Sequence, residues 1–88
     1  MNNTIGQVVN CRYEEFDIYI GRPSKWGNPY IIGRDGTRHE VLDKYKHYLL
    51  QNPKLIQDAK KELKGLALGC WCAPSACHGD ILWRIANG

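Results

Sequence analysis

The feature that most constrains this chain is the apolar run Leu66–Cys72, which follows two consecutive amphipathic helix patterns. A run of strand length without polar alternation reads as a strand buried on both faces, as in a parallel sheet. The first helix opens at Thr37, where Thr37 and Glu40 have the spacing of a capping box. Val41, Leu42, Tyr45, Tyr48 and Leu49 follow at helical spacing. Asn52-Pro53 stops that helix and Pro53 opens the second, which presents Leu55, Ile56, Ala59 and Leu63 on one face and closes at Gly65. After the run, Cys77–Asn87 reads as a last helix with Ile81, Leu82, Ile85 and Ala86 inward. Upstream, Val8–Cys11 and Phe16–Ile20 have the branched and aromatic content of strands, with Arg12–Glu15 between them short enough for a hairpin. Tyr30–Ile32 is a third short strand candidate. The expected order is β-β-(β)-α-α-β-α, a small α/β sheet with helices packed on it. If Leu66–Cys72 lies parallel to an N-terminal strand, the helices between them form the crossover.

With 88 residues, the chain has room for one domain, residues 1–88. No apolar stretch approaches the roughly 20 residues of a membrane span. The start, Met1–Gln7, has neither the basic nor the apolar region of a leader, so a cytoplasmic location without membrane contact is expected. The four cysteines are then thiols, metal ligands or core residues rather than a disulfide framework. Twelve Lys and Arg against nine Asp and Glu give +3, too mild for a polybasic nucleic-acid arm.

That charge is local. Ile18–Arg34 contains Arg22, Lys25 and Arg34 and no acid, and the rest of the chain balances. Within it, Gly21–Pro29 holds two prolines and two glycines and cannot be regular structure. Arg22, Ser24, Lys25, Trp26 and Asn28 sit between these backbone-fixing residues. A stiffened basic loop suits a phosphate or carboxylate, with Trp26 either stacking on a base or plugging the core. The second unusual segment, Gly69–Asp80, joins the apolar strand to the last helix. Ligand sites in open α/β sheets lie at the carboxyl ends of strands, where Cys72 falls. Cys77, His78 and Gly79 stand at a helix start, where free N–H groups favour an anion or a thiolate. Beside His78, the Cys77 thiol is a candidate nucleophile, and Asp80 either caps the helix or serves as a base. Cys70, Cys72, Cys77 and His78 are alternative zinc ligands, but adjacent Cys77 and His78 do not converge easily on one ion. Cys70 and Cys11 also fit a plain apolar core.

Val8-Val9-Asn10, Gly21–Pro29, Gly33–Thr37, Leu68–Pro74 and Cys77–Asp80 together resemble domain-of-unknown-function family 4326, found in phages and bacteria. The resemblance spans about Val8 to Ala86 and implies no settled activity. The Cys-His helix start is more weakly similar to domain-of-unknown-function family 488, which has Cys-His-Arg where this chain has Cys77-His78-Gly79. That likeness implies an α/β sandwich with its site at strand ends.

The leading expectation is an anion-binding pocket, for a nucleotide or sugar phosphate, between residues 21–29 and 72–80. Arg22, Lys25 and the N–H groups of Cys77–Gly79 would hold the anion, and Trp26 and Asn28 would contact base or sugar. His78, Asp80 and Cys72 or Cys77 would supply any nucleotide hydrolase or glycosyl transferase chemistry, with no cofactor. The alternatives are a zinc-stabilised nucleic-acid or protein adaptor, and a phage inhibitor docking on a host protein through Trp26, Trp71 or Tyr30. A homodimer is compatible with all three.

Overall fold

A computed structural model of the chain describes residues 7–73 and 75–88. Residues 1–6, which carry most of the leader reading, and Pro74 in the second motif lie outside the described residues. The elements are β1 (Gln7–Asn10), β2 (Ile18–Tyr19), α1 (Arg38–Leu50), α2 (Pro53–Glu62), β3 (Ala67–Cys70) and α3 (His78–Asn87). The strands form one sheet in the order β1-β3-β2, with both outer strands parallel to β3. The expected small α/β class holds, and the apolar run is its central strand.

The hairpin expected around Arg12–Glu15 does not form. β1 and β2 take opposite edges of β3 instead of each other. The chain between them has no Asn-Gly or Asp-Gly pair to make a tight reversal. It runs back to the start of the sheet, where Asp17 binds both backbone groups of Ala67: Asp17 N–H donates to the Ala67 carbonyl at 2.9 Å, and Ala67 N–H donates to Asp17 Oδ2 at 2.7 Å. Tyr30–Ile32 is not a strand either. The Ile31 carbonyl accepts from the N–H groups of Arg34 and Asp35, and Asp35 Oδ2 accepts from Ile31 N–H at 2.8 Å. The Asp35 side chain thereby closes a turn where the apolar content alone reads as extended.

Register assigns the two faces. Val8 and Ile18 stand beside Leu68, and Val9 and Tyr19 stand beside Gly69. Neighbours in register share a face. The Leu68 row faces α3, which approaches as closely as Gly79 permits. A Cβ there would sit 2.8 Å from both Val8 Cγ1 and Ile20 Cδ1. On the other face the Phe16 ring covers Gly69, where a Cβ would lie 2.6 Å from it. α2 packs on α1 and α3. Tyr45, Leu49, Ala59, Leu63, Leu82 and Ala86 from the three helices meet Ile20, Leu68 and Trp26 in one buried cluster. The capping box at Thr37 is present, with Glu40 N–H donating to Thr37 Oγ1 at 3.3 Å and Thr37 N–H to Glu40 Oε1 at 2.8 Å. Gly65 leaves α2 at φ +76, a left-handed conformation that suits glycine. Among the described residues, no helix is long and apolar enough to cross a membrane.

Because β2 and β3 are parallel neighbours, the segments that follow them leave the same end of the sheet. This brings the two unusual segments together.

Candidate functional site

An open cavity of about 540 Å³ lies at that end. Tyr19, Gly21, Arg22, Asn28 and Tyr30–Ile32 form one wall, Arg38, Val41 and Leu42 of α1 a second, and Trp71, Cys72 and Ala76–His78 the third. Two guanidinium groups reach it and no carboxylate lines it, so the local potential is positive.

The walls are held by specific contacts. The Trp71 indole donates to Tyr19 Oη at 3.0 Å, and Tyr19 donates onward to the Arg22 carbonyl at 2.9 Å. A Cβ on Gly21 would collide with the hydroxyl end of Tyr19, so glycine is what lets that side chain lie there. Arg22 Nη1 donates to the Asn28 carbonyl at 3.1 Å. Asn28 spends its own amide internally. Its Nδ2 donates to the Val41 carbonyl at 3.2 Å, and its Oδ1 accepts from Tyr30 N–H at 2.9 Å. Arg38 Nη1 donates to the Ala76 carbonyl at 2.9 Å, tying α1 to the start of α3. Asn10, at the end of β1, fixes the third wall from behind by donating to the carbonyls of Trp71 at 3.1 Å and Ala73 at 2.9 Å.

Cys77 and His78 form the inner end. Cys77 is the N-cap of α3: its sulfur accepts from Gly79 N–H at 3.2 Å, and Asp80 Oδ2 accepts from Cys77 N–H at 3.1 Å. The Cys70 and Cys77 sulfurs are 2.8 Å apart and both buried. A hydrogen bond from the Cys77 thiol lowers Cys70 to about 6. The same bond, together with burial, pushes Cys77 far up. The pair therefore favours one negative charge shared across two sulfurs and resists a second. His78 Nε2 lies 2.7 Å from the Ile20 carbonyl, which makes it the protonated nitrogen. Nδ1 is then an acceptor, 3.9 Å from the Cys77 sulfur. Burial holds His78 below its usual value and therefore neutral. The Tyr45 ring meets it edge-on at 5.2 Å.

Of the residues singled out in the sequence, Arg22, Asn28, Cys72, Cys77 and His78 meet around this cavity. Five others lie elsewhere. Trp26 is 2% exposed in the core, where its carbonyl accepts from Tyr45 Oη at 2.7 Å. It plugs the interior because its ring is the largest apolar group in the loop. Lys25 points to α2 and pairs with Glu62 at 3.0 Å and Asp58 at 3.3 Å. Ser24 Oγ accepts from Trp26 N–H at 3.3 Å and so belongs to the loop's own folding. Gly79 is the buried contact of α3 with the sheet, and Asp80 is a helix cap. As for zinc, no three His, Cys, Asp or Glu side chains gather to hold a metal ion among the described residues.

Sequence reasoning missed Arg38 and Tyr19. For Arg38 a signal existed. A cation in the first turn of a helix opposes the macrodipole, so something outside the helix must hold it. Tyr19 carries no such mark, because alternating strand residues give no hint of which face meets a ligand.

No solved structure matches the chain. An uncharacterized 12.4 kDa protein in the nrdA-td intergenic region of Enterobacteria phage T4 is 36% identical over 85 residues, covering 92% of this chain and 77% of the relative. An uncharacterized protein of Acanthamoeba polyphaga mimivirus is 34% identical over 96 residues, covering 89% and 68%. The family model described as a domain of unknown function, DUF4326, matches residues 7–88 and so takes in every wall of the cavity: the chain belongs to that family.

Proposed function

We propose that the protein binds a planar, anionic small molecule of the nucleotide class in this cavity. The carrying observation is the lining itself. Arg22 and Arg38 supply charge without any opposing carboxylate, and Tyr19, Tyr30 and Trp71 supply aromatic surface. A volume near 540 Å³ falls in the range of small-molecule sites, about 300–1,000 Å³. Guanidinium groups match phosphate oxygens in pairs, and exposed aromatic faces accept a base by stacking. Trp71 is 61% exposed at the rim, where a stacked base would cover it. Cys77 and His78, at the inner end, are the groups available for chemistry on a bound molecule. The cytosol is the compartment this reading assigns.

The test is thermal unfolding of reduced, metal-free protein against a panel of nucleotides and sugar phosphates. A ligand at 100 times its Kd adds about 2.7 kcal/mol, which in a domain of this size raises Tm by on the order of 10 °C. Silence across the whole panel overturns the proposal. For any ligand found, Arg22→Ala and Arg38→Ala each weaken binding about tenfold, the low end for a hydrogen bond to a charged group because both arginines are exposed.

A further inference from the structure

We propose that Cys70 and Cys77 are a reactive dithiol that oxidises reversibly to a disulfide, and that small anionic disulfides entering the cavity are its oxidants. The inference rests on the cavity's reading as an anion site, but its core is the sulfur geometry. The two sulfurs stand 2.8 Å apart, so they need to close by less than 1 Å to reach a bonded separation of about 2.05 Å. Their positions are unequal. Cys70, the last residue of β3, is buried and does not line the cavity, whereas Cys77 does. Cys77 also caps α3, where Gly79 N–H donates to its sulfur, and the Cys70 sulfur against it is placed to take its proton. Among the described residues, Cys72, the second cavity-lining thiol, makes no sulfur contact like that of Cys70 with Cys77.

The chemistry is a thiol–disulfide exchange in two steps. The Cys77 thiol passes its proton to the Cys70 sulfur 2.8 Å away, and the Cys77 sulfur so freed attacks one sulfur of a disulfide R–S–S–R, forming a protein–S–S–R bond as the R–S–S–R bond breaks and releasing R–S⁻, which takes up a proton from solvent. Cys70, having given its proton to solvent, then attacks the Cys77 sulfur and releases the second R–S⁻. The balance is one dithiol and one disulfide consumed, one Cys70–Cys77 disulfide and two R–SH formed, with two electrons and two protons passed to R. Arg22 and Arg38 favour an R group that carries carboxylates. Oxidised glutathione has that chemistry, and hydroxyethyl disulfide lacks the charge.

The experiment incubates reduced full-length protein with each of these disulfides and maps the products by peptide mass spectrometry. The expected product is a Cys70–Cys77 linkage, formed at least fivefold faster with oxidised glutathione than with hydroxyethyl disulfide and reversed by excess reduced thiol. In Cys70→Ser the glutathione adduct stops on Cys77 and accumulates there. Adducts confined to Cys11 or Cys72 in the unaltered protein, with no Cys70–Cys77 linkage, overturn the proposal, and that result does not depend on the variant folding. Equal rates with the two disulfides keep the dithiol but remove the anionic selectivity, which also counts against the anion reading of the cavity. Nucleotide binding is scored separately on reduced protein, so either claim fails without the other.

Discussion

His78 shows how one side chain is committed by its surroundings. Its Nε2–H is given to the Ile20 carbonyl and its ring is shut in against Tyr45, so the charged form has lost its water. Burial depresses its folded pKa and outweighs the Ile20 carbonyl, whose hydrogen bond favours the charged ring; Arg22 adds to the depression and Asp80 opposes it. A group with a depressed folded value stabilises the fold fully above its unfolded value, about 6.5. That contribution is lost as pH falls from there through the folded value, because the unfolded chain takes up the proton first. Denaturant midpoints should therefore drop between pH 7 and 5. His78→Gln, measured alongside, should be less stable at pH 7 but should show a flatter profile over that window. A parallel profile would show that the drop comes from other groups. A second residue-level expectation concerns Tyr45, whose hydroxyl donates to the carbonyl of the buried Trp26 at 2.7 Å. Tyr45→Phe strands that carbonyl in the core and should cost about 1–3 kcal/mol by chemical denaturation, while leaving ligand affinity unchanged because neither residue lines the cavity. Trp26 was legible in the sequence as either a stacking group or a plug. What the sequence lacked was the position of α1, which supplies the hydroxyl that settles the choice.

At the scale of elements, packing is set by what two glycines leave out. Gly79 lets α3 rest on Val8 and Ile20, and Gly69 lets Phe16 cover β3 from the other side. Gly79→Ala puts a methyl 2.8 Å from two branched side chains, and overpacking of this kind typically costs about 1–3 kcal/mol. The loss should appear in the denaturant midpoint and also in the cavity, since α3 carries Cys77 and His78 on its first turn. The helices themselves were readable. The cap at Thr37, the start at Pro53, the stop at Gly65 and the inward residues of all three follow from spacing alone. The sheet was readable only in part. Its central strand announced itself by continuous apolar content, but β2 is two residues long and its pairing depends on Asp17 reaching Ala67, fifty residues away in sequence. No local pattern encodes such a contact, so a hairpin was the nearer reading.

At the scale of the whole molecule, the question is where the net charge of +3 acts. The sequence concentrates it in Ile18–Arg34, and the fold then divides it. Lys25 is turned to Asp58 and Glu62 on α2, and Arg34 pairs with Asp35 at 2.9 Å. Arg22 remains, and Arg38 joins it from α1. The field at the cavity is therefore the work of two arginines, one inside the basic window and one outside it. This separation is measurable with salt. The screening length shortens from about 30 Å at 0.01 M to about 10 Å at 0.1 M, so affinity for an anionic ligand should fall several-fold over that range in the unaltered protein. The double variant Arg22→Ala, Arg38→Ala should bind weakly at both ends of the range and be nearly flat across it. Lys25→Ala should keep both the affinity and the slope of the unaltered protein, because its ammonium is held between two carboxylates of α2. A Lys25 variant as flat as the arginine pair would move the anion off this cavity and onto the loop's outer side, where the linear sequence alone would have put it.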